Sequence, residues 1–231
     1  MSAAYAQFTK VILIVISVVI VMISATLHEI SHGYAAYKLG DPTAKLQGRL
    51  TLNPLAHIDP IGSFALPLVL ALAHGPIFAF AKPVPYNPRF LKNPQRDELL
   101  VALAGPMCNL MLAFIGAGLC HLIFPHVIWA DYLMSQGWSY WVVIVLLNFC
   151  YINLVLCFFN LIPLPPLDGS KIVSPFLTGE ARLWYYKVER YSMPVLLVLL
   201  FILPSWLNID PLSSYLDLTA GRLFDFLLMG L

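Results

Sequence analysis

The chain is poor in charged residues. Only 11% of its 231 residues are Asp, Glu, Lys or Arg, while 60% are hydrophobic, and the mean hydropathy is +0.80. Soluble domains are about one quarter charged and about half apolar. The composition therefore excludes an ordinary soluble domain and predicts a multi-pass membrane protein. The net charge of +1 also argues against nucleic acid as a partner.

Cysteine pairs, repeats and linkers are also lacking. The four cysteines lie in apolar stretches and form no CxxC pair, so we interpret them as small packing residues. There are no internal repeats or low-complexity linkers, and the length leaves no room for a separate soluble module. We expect one integral membrane domain over residues 1–231.

Long apolar runs indicate how often the chain crosses a membrane. Such runs occur at about 11–36, 61–81, 98–124, 139–162 and 190–206. A stretch at 211–230 contains three charges and could span the bilayer or lie in the interface. We predict an all-α polytopic protein with about five to six transmembrane helices. The first run is interpreted as a retained helix rather than a removed signal peptide.

The segment after the first run has a different pattern. Gly40-Asp41-Pro42 predicts a helix stop and a turn. Polar and apolar residues then alternate over 43–53, which predicts a short membrane-associated β-element. An exposed edge of that strand could pair with an extended substrate segment.

The run at 61–81 leaves two topologies open. If it crosses fully, basic loops fall on both sides of the bilayer. If the segment enters the bilayer and returns on the same side, most of the basic residues lie on one face. They are Lys38, Lys45, Arg49, Lys82, Arg89, Lys92, Arg96, Lys171, Arg182, Lys187 and Arg190. The positive-inside rule favours the returning, re-entrant segment and makes the basic face cytoplasmic. Pro67, Gly75 and Pro76 would permit the break.

A metal-binding pattern ends the first apolar run. His28-Glu29-Ile30-Ser31-His32 follows seventeen uncharged residues, Val11 to Leu27. Histidines at i and i+4 share one helix face, at the spacing that a zinc ion requires. Glu29 is placed to act as general base on a zinc-bound water. Three polar groups at bilayer depth are costly, which favours a functional role.

A second unusual stretch runs from Asn160 to Gly169. Three of its four positions 163–166 are prolines, which end a helix and hold the chain extended. Asp168 then follows on a stiff, non-helical segment. Its carboxylate could complete a zinc site with an open fourth position, or it could cap a turn before Gly169.

With these motifs the chain resembles the site-2 protease family of intramembrane zinc metalloproteases. The resemblance covers about residues 20–175 and rests on the HExxH motif, on Ala104-Gly105-Pro106-Met107-Cys108-Asn109, and on the Asn160-to-Gly169 stretch. It implies a peptidase domain with a catalytic core at about 11–175 and C-terminal helices at about 185–230. Many members have a PDZ or CBS domain, and we expect this chain to be one of the short bacterial or archaeal members that lack both.

The resemblance also implies roles for individual residues. His28, His32 and Asp168 would hold one Zn²⁺ per chain, and Glu29 would be the catalytic acid and base. Asn160 would contact the substrate or the oxyanion. His57 is a further candidate for a substrate contact, although a turn histidine with satisfied hydrogen bonds is the favoured interpretation. Asn109 and Asn153 could hydrogen-bond across helices, but packing is the preferred interpretation.

The predicted function is hydrolysis of a peptide bond in or near a transmembrane segment, as in regulated intramembrane proteolysis. The partners would be a transmembrane substrate and the lipid bilayer, and the location a prokaryotic cell (inner) membrane with the site towards the cytoplasm. The alternatives are an inactive zinc-binding scaffold and a zinc transporter or sensor. The sequence does not indicate the substrate, the cleavage position, the gating mechanism or the oligomeric state.

Overall fold

The fold was obtained as a computed structural model, which describes residues 3–57, 59, 82–124, 137–189, 191–198, 204 and 210–229. Among these residues, three helices are long and apolar enough to cross a membrane. They are α1 (Ala3–Lys38), α3 (Pro94–Ile123) and α4 (Trp138–Asn160). They confirm the spans predicted from the runs at 11–36, 98–124 and 139–162. The run at 61–81 lies outside the described residues, as does much of the run at 190–206.

Helix α1 shows why these segments are helical. It is rich in Val and Ile, which are weak helix formers in water. In lipid, every backbone group must find its partner within the segment, and a helix achieves this. Val11, Ile14 and Val15 are 58%, 62% and 55% exposed, so this face of the helix is suited to contact lipid. The protein is therefore an all-α integral membrane protein in the part that the structure describes.

The directions of the three long helices follow from their polar contacts. Ser24 and His32 of α1 lie beside Asn109 and Val101 of α3, respectively, so α1 and α3 are antiparallel. Ser24 also contacts Asn153 of α4, and His32 contacts Asp168 just beyond the end of α4, so α1 and α4 are parallel. The end of α1 and the beginning of α3 thus lie on the same side of the bundle.

The predicted strand at 43–53 is wrong. Residues Thr43–Leu46 form a short helix, α2, and no strand follows between positions 47 and 53. Asp41 is fully buried and accepts hydrogen bonds from the backbone and hydroxyl of Thr43, which starts this helical turn. Gly48 then takes a φ of +65°, which turns the chain away from an extended path. The contacts of Asp41 with Thr43 and the turn at Gly48 therefore override the alternation.

The residues on either side of the stretch 60–81, which the structure does not describe, lie next to each other. A 3₁₀ turn at Pro54–His57 precedes the stretch, and the backbone N–H of Lys82 donates to the carbonyl of His57 at 2.8 Å. Residues 82–87 then run without helix or strand to a second 3₁₀ turn, Pro88–Phe90. The stretch therefore leaves and re-enters the described fold at one place.

Helix α4 ends where the prolines begin. After Asn160 the chain turns, and α5 (Asp168–Val173) starts at the predicted ligand. A Cβ on Gly169 would collide with the carbonyl oxygens of Leu161 and Ile162. Glycine at this position therefore lets α5 pack against the end of α4, which places Asp168 beside α1. A 3₁₀ turn at Ser174–Phe176, α6 (Gly179–Glu189) and α7 (Ser192–Leu197) follow.

The C-terminal stretch is helical and packs against the long helices. It consists of α8 (Pro211–Leu216), a π-helical turn at Asp217–Gly221 and α9 (Arg222–Met229). The Tyr215 hydroxyl donates to the carbonyl of Phe158, and His121 contacts the carbonyl of Leu227. Phe158 is near the site end of α4, whereas His121 is at the far end of α3. The stretch thus follows the bundle along its length.

Candidate metal centre and active site

Three side chains from distant parts of the sequence converge at one point. Nε2 of His28 lies 3.0 Å from Oδ2 of Asp168, and Nε2 of His32 lies 3.1 Å from the same oxygen. The two Nε2 atoms are 3.0 Å apart. The histidines are buried, and the side chain of Asp168 is 16% exposed. The structure thus brings together the three predicted ligands, on the inner face of α1 and the first turn of α5.

The outer nitrogen of each histidine ring is occupied by an oxygen acceptor. Nδ1 of His28 lies 2.5 Å from Oδ1 of Asn109, and Nδ1 of His32 lies 2.7 Å from the carbonyl of Val101. A carbonyl oxygen cannot donate, so Nδ1 of His32 must carry its hydrogen. Nδ1 of His28 carries a hydrogen for the same reason. The amide nitrogen of Asn109 donates to Asn153, so the amide oxygen is the atom that faces this ring. In the neutral rings, both Nε2 lone pairs therefore face the cluster centre.

Asn109 belongs to a buried hydrogen-bond network that joins the three long helices. Its Nδ2 donates to Oδ1 of Asn153 at 2.9 Å. Nδ2 of Asn153 in turn donates to the Ser24 hydroxyl at 3.0 Å and to the carbonyl of Phe149 at 2.8 Å. All three polar side chains of this network are fully buried. The network fixes which way the amide of Asn109 points and, through it, the ring of His28.

Oδ2 of Asp168 lies at the centre of this cluster, where it faces the Nε2 atoms of both rings. Three electron-rich atoms thus face one another at 3.0–3.1 Å. Such an arrangement requires positive charge between the atoms, either as protons or as a metal ion.

The arrangement fits a zinc ion. Ligand atoms placed 2.0–2.1 Å from zinc in a tetrahedron are about 3.3 Å apart, close to the separations observed. Gly105 of α3 forms the floor of the cluster, since a Cβ there would lie 2.6 Å from Nε2 of His28 and even closer to Nε2 of His32. Two imidazoles and one carboxylate leave the fourth position open, as in catalytic zinc sites. His28, His32 and Asp168 would hold the ion.

Glu29 lies next to the ligands but is held separately. Its Oε2 accepts a hydrogen bond of 2.7 Å from the backbone N–H of Val84. Val84 is buried and packs against α1 near Gly33, where a Cβ would lie 2.6 Å from Cγ1 of Val84. Glu29 is therefore oriented by the segment 82–87 rather than by His28, His32 or Asp168.

The two tentative site residues lie elsewhere. The amide of Asn160 donates to the carbonyl of Leu156, one turn back in α4, at 2.9 Å. His57 is buried, and its Nε2 lies 3.0 Å from the carbonyl of Thr51. The contacts seen for these two side chains do not join them to the ligand cluster. Their roles toward substrate stay predictions.

Asn109 and Asn153 make more contacts than a packing role would require. The sequence favours packing for both, whereas in the fold both asparagines hydrogen-bond across helices and Asn109 contacts the ring of His28. The signal for Asn109 was its place at the end of the Ala104-to-Asn109 motif, in a helix with few other polar groups. Nothing in the sequence indicated that His32 would use the backbone carbonyl of Val101.

Replacing Asn109 should weaken metal binding without abolishing it. In Asn109→Leu the ring of His28 loses its acceptor, so its orientation and tautomer are no longer fixed. Loss of such an outer partner typically costs about 10- to 100-fold in metal affinity. Competition with a fluorescent zinc chelator on the purified protein measures this effect. Asn148→Leu, which removes an amide bonded within its own helix turn, is the matched control. Equal zinc affinity in both variants would contradict the role of Asn109.

Comparisons with known proteins find relatives that are named as zinc metalloproteases. The profile of the family described as Peptidase family M50 matches residues 126–203, which include Asp168. YwhC of Bacillus subtilis, provisionally named a zinc metalloprotease, is 41% identical over 89% of this chain and 86% of its own length. Rip2 of Mycolicibacterium smegmatis, named in the same way, is 31% identical over 89% of this chain and 78% of its own length. No solved structure gives a significant match.

The chain belongs to peptidase family M50, the site-2 protease family. It is accordingly a metalloprotease embedded in a membrane, and the metal of the family is zinc.

Proposed function

We propose that this protein hydrolyses a peptide bond in or near the transmembrane segment of a membrane-protein substrate. The proposal rests on one observation. Nε2 of His28, Nε2 of His32 and Oδ2 of Asp168 meet within 3.1 Å of one another, next to Glu29, inside a bundle of apolar helices. A water-dependent reaction at that depth suits a substrate that lies in the membrane.

The chemistry divides between the metal and the side chains. When bound, one zinc ion supplies a Lewis acid that polarises the scissile carbonyl and lowers the pKa of the attacking water. His28, His32 and Asp168 hold that ion. Glu29 takes a proton from the attacking water and delivers it to the leaving amine. Val84 holds Oε2 of Glu29, which leaves Oε1 to handle the proton.

The depth of the site supports a substrate within the membrane. His32 lies about 9 Å along the helix axis from Lys38, at a rise of about 1.5 Å per residue. Lys38 and Lys45 lie over the rings of Tyr34 and Tyr37, at 5.3 Å and 4.5 Å. Such paired basic and aromatic side chains are typical of a membrane–water interface. The metal site thus lies a short distance below one membrane face, where water has access.

The proposed topology has a re-entrant segment. The 24 residues 58–81 connect backbone groups that are hydrogen-bonded to each other, and two full crossings would need about 40 residues. The basic residues around the end of α1 then lie on one face, which we place in the cytoplasm of a prokaryotic cell. The stretch 211–229 is a further candidate span, because it follows α3 and α4 along the bundle.

Reconstituted protein tests the function directly. Zinc-loaded protein in liposomes is incubated with a panel of single-span membrane proteins and with unstructured soluble peptides. We expect cleavage of at least one single-span protein at a bond that mass spectrometry places in or near its transmembrane segment. A chelator should stop this cleavage, and added zinc should restore it. Cleavage of the soluble peptides alone would contradict an intramembrane substrate.

A further inference from the structure

The segment Lys82–Asn87 lies beside Glu29, the proposed general base. It passes α1 with Val84 buried and flanked by two prolines, Pro83 and Pro85. Proline has no N–H, so Val84 provides the only backbone donor in these three residues. That single donor binds Oε2 of Glu29 at 2.7 Å.

The other end of the same peptide group is held by a guanidinium. The carbonyl of Pro83 and the N–H of Val84 belong to one peptide unit. Nη2 of Arg49 donates to this carbonyl at 3.3 Å and to the carbonyl of Lys82 at 2.8 Å. The peptide unit is planar, and its C=O and N–H point in opposite directions. Arg49 and Glu29 therefore contact opposite ends of one rigid group.

Arg49 also fixes the position of that group. Its Nη1 donates to the carbonyl of Ala56, and its Nε is shut off from solvent. One side chain thus joins the turn Pro54–His57 to residues 82 and 83, beside the hydrogen bond between Lys82 and His57. A planar guanidinium can serve three carbonyls at once, whereas a lysine ammonium has no such fixed geometry. Donation to the Pro83 carbonyl also polarises the peptide and strengthens the N–H of Val84 as a donor.

We propose that Arg49 is a positioning residue for the hydrolysis, acting on Glu29 through the Pro83–Val84 peptide group. The proposal rests on the proposed function of Glu29 as the general base. Arg49 touches neither the ligand cluster nor Glu29 in the contacts described above. It sets where the carboxylate of Glu29 stands relative to the attacking water. A displacement of about 1 Å at such a position costs about 100-fold in rate.

Kinetics of Arg49→Gln, Arg49→Lys and Val84→Pro on a single-span substrate that the wild type cleaves test this inference. Arg49→Gln should lower kcat by about 10- to 100-fold, and KM should stay within about threefold. Zinc should remain at about one per chain, because the ligands are untouched. Arg49→Lys should lie between Arg49→Gln and the wild type. Arg89→Gln, which removes an exposed cation from a nearby turn, should have no effect.

The double variant decides whether the peptide group connects the two residues. If Arg49 acts through the Val84 N–H, then Arg49→Gln with Val84→Pro should be within about twofold of the slower single variant. Additive losses would overturn the proposal, as would a wild-type kcat in Arg49→Gln or a loss of zinc parallel to the loss of rate. If Val84→Pro does not fold, the intermediate rate of Arg49→Lys at full zinc content decides instead, and a rate as low as that of Arg49→Gln overturns the proposal.

Hydrogen exchange separates this inference from the proposed function, because it needs no substrate. In the zinc-loaded full chain, the peptide covering residues 82–87 should exchange about tenfold faster in Arg49→Gln than in the wild type. Unchanged exchange would overturn the role of Arg49 even if cleavage is seen. Faster exchange in Arg49→Gln, with no cleavage by the wild type, would overturn the proposed function alone.

Discussion

Glu29→Gln should abolish cleavage while the protein keeps its zinc. Glutamine has the same shape, and its side-chain oxygen still accepts the hydrogen bond from Val84. It cannot take a proton from water, so the reaction loses its acid and base. We expect a loss of about a thousandfold or more, since general acid–base catalysis contributes about 10² to 10⁴ in rate. Cleavage of a single-span substrate in liposomes, with zinc measured in the same preparation, gives both quantities.

The matched control for this prediction is Glu180→Gln, which neutralises an exposed carboxylate at the start of α6. It should cleave at the wild-type rate. If Glu29→Gln keeps activity within a few-fold of wild type, Glu29 is not the base. Loss of zinc in Glu29→Gln would instead make Glu29 part of the metal site, in disagreement with its separation from the ligand cluster.

The long helices and the three candidate ligand residues could be predicted from the sequence for physical reasons. Apolar runs of membrane length must be helical, because lipid offers the backbone no other partner. His28 and His32 share a face of α1 because a helix repeats every 3.6 residues. The prolines after Asn160 forbid continuation of α4, so Asp168 has to be presented from a new element. These are local rules, and they hold without knowledge of the tertiary packing.

The errors arose where local patterns compete with contacts. Alternation over 43–53 predicted a strand, but the buried carboxylate of Asp41 starts a helical turn at Thr43, and Gly48 adopts a positive φ. Asp41 also accepts from the backbone of Asn87 at 2.6 Å, a contact between residues 46 positions apart. The alternation of polar and apolar residues contains no information about a partner so distant in sequence.

The hydrogen-bond partners of His28 and Glu29 could not be predicted from the sequence, for a related reason. His28 meets Asn109 across 81 positions, and Glu29 meets Val84 across 55. The sequence shows that Val84 is the one donor between two prolines, but it does not show which acceptor that donor meets. The first pairing depends on how α1 and α3 cross, and the second on how the segment 82–87 passes α1, so both appear only in the fold.

Asp168→Ala should lose the metal and the activity together. Asp168 provides the only negative charge among the three ligand side chains, and its Oδ2 contacts both histidines at 3.0 and 3.1 Å. Without it, two neutral imidazoles remain, which is too few donors for a stable tetrahedral site. The drop in zinc affinity should therefore exceed the about 10- to 100-fold that follows loss of an outer hydrogen-bond partner. Zinc bound per chain at buffered free zinc, together with cleavage, measures this change.

Two further variants show whether the charge or the fold is responsible. Asp168→Asn keeps the shape and one oxygen but removes the charge, so it should bind zinc more weakly than wild type and more tightly than Asp168→Ala. Asp217→Asn, at an exposed carboxylate of the C-terminal stretch, should bind zinc like the wild type. If Asp168→Ala keeps about one zinc per chain at wild-type affinity, Asp168 is not a ligand. The contacts of Asp168 with the histidines would then serve only to pack α5 against α1. The zinc would need a third donor from elsewhere in the chain.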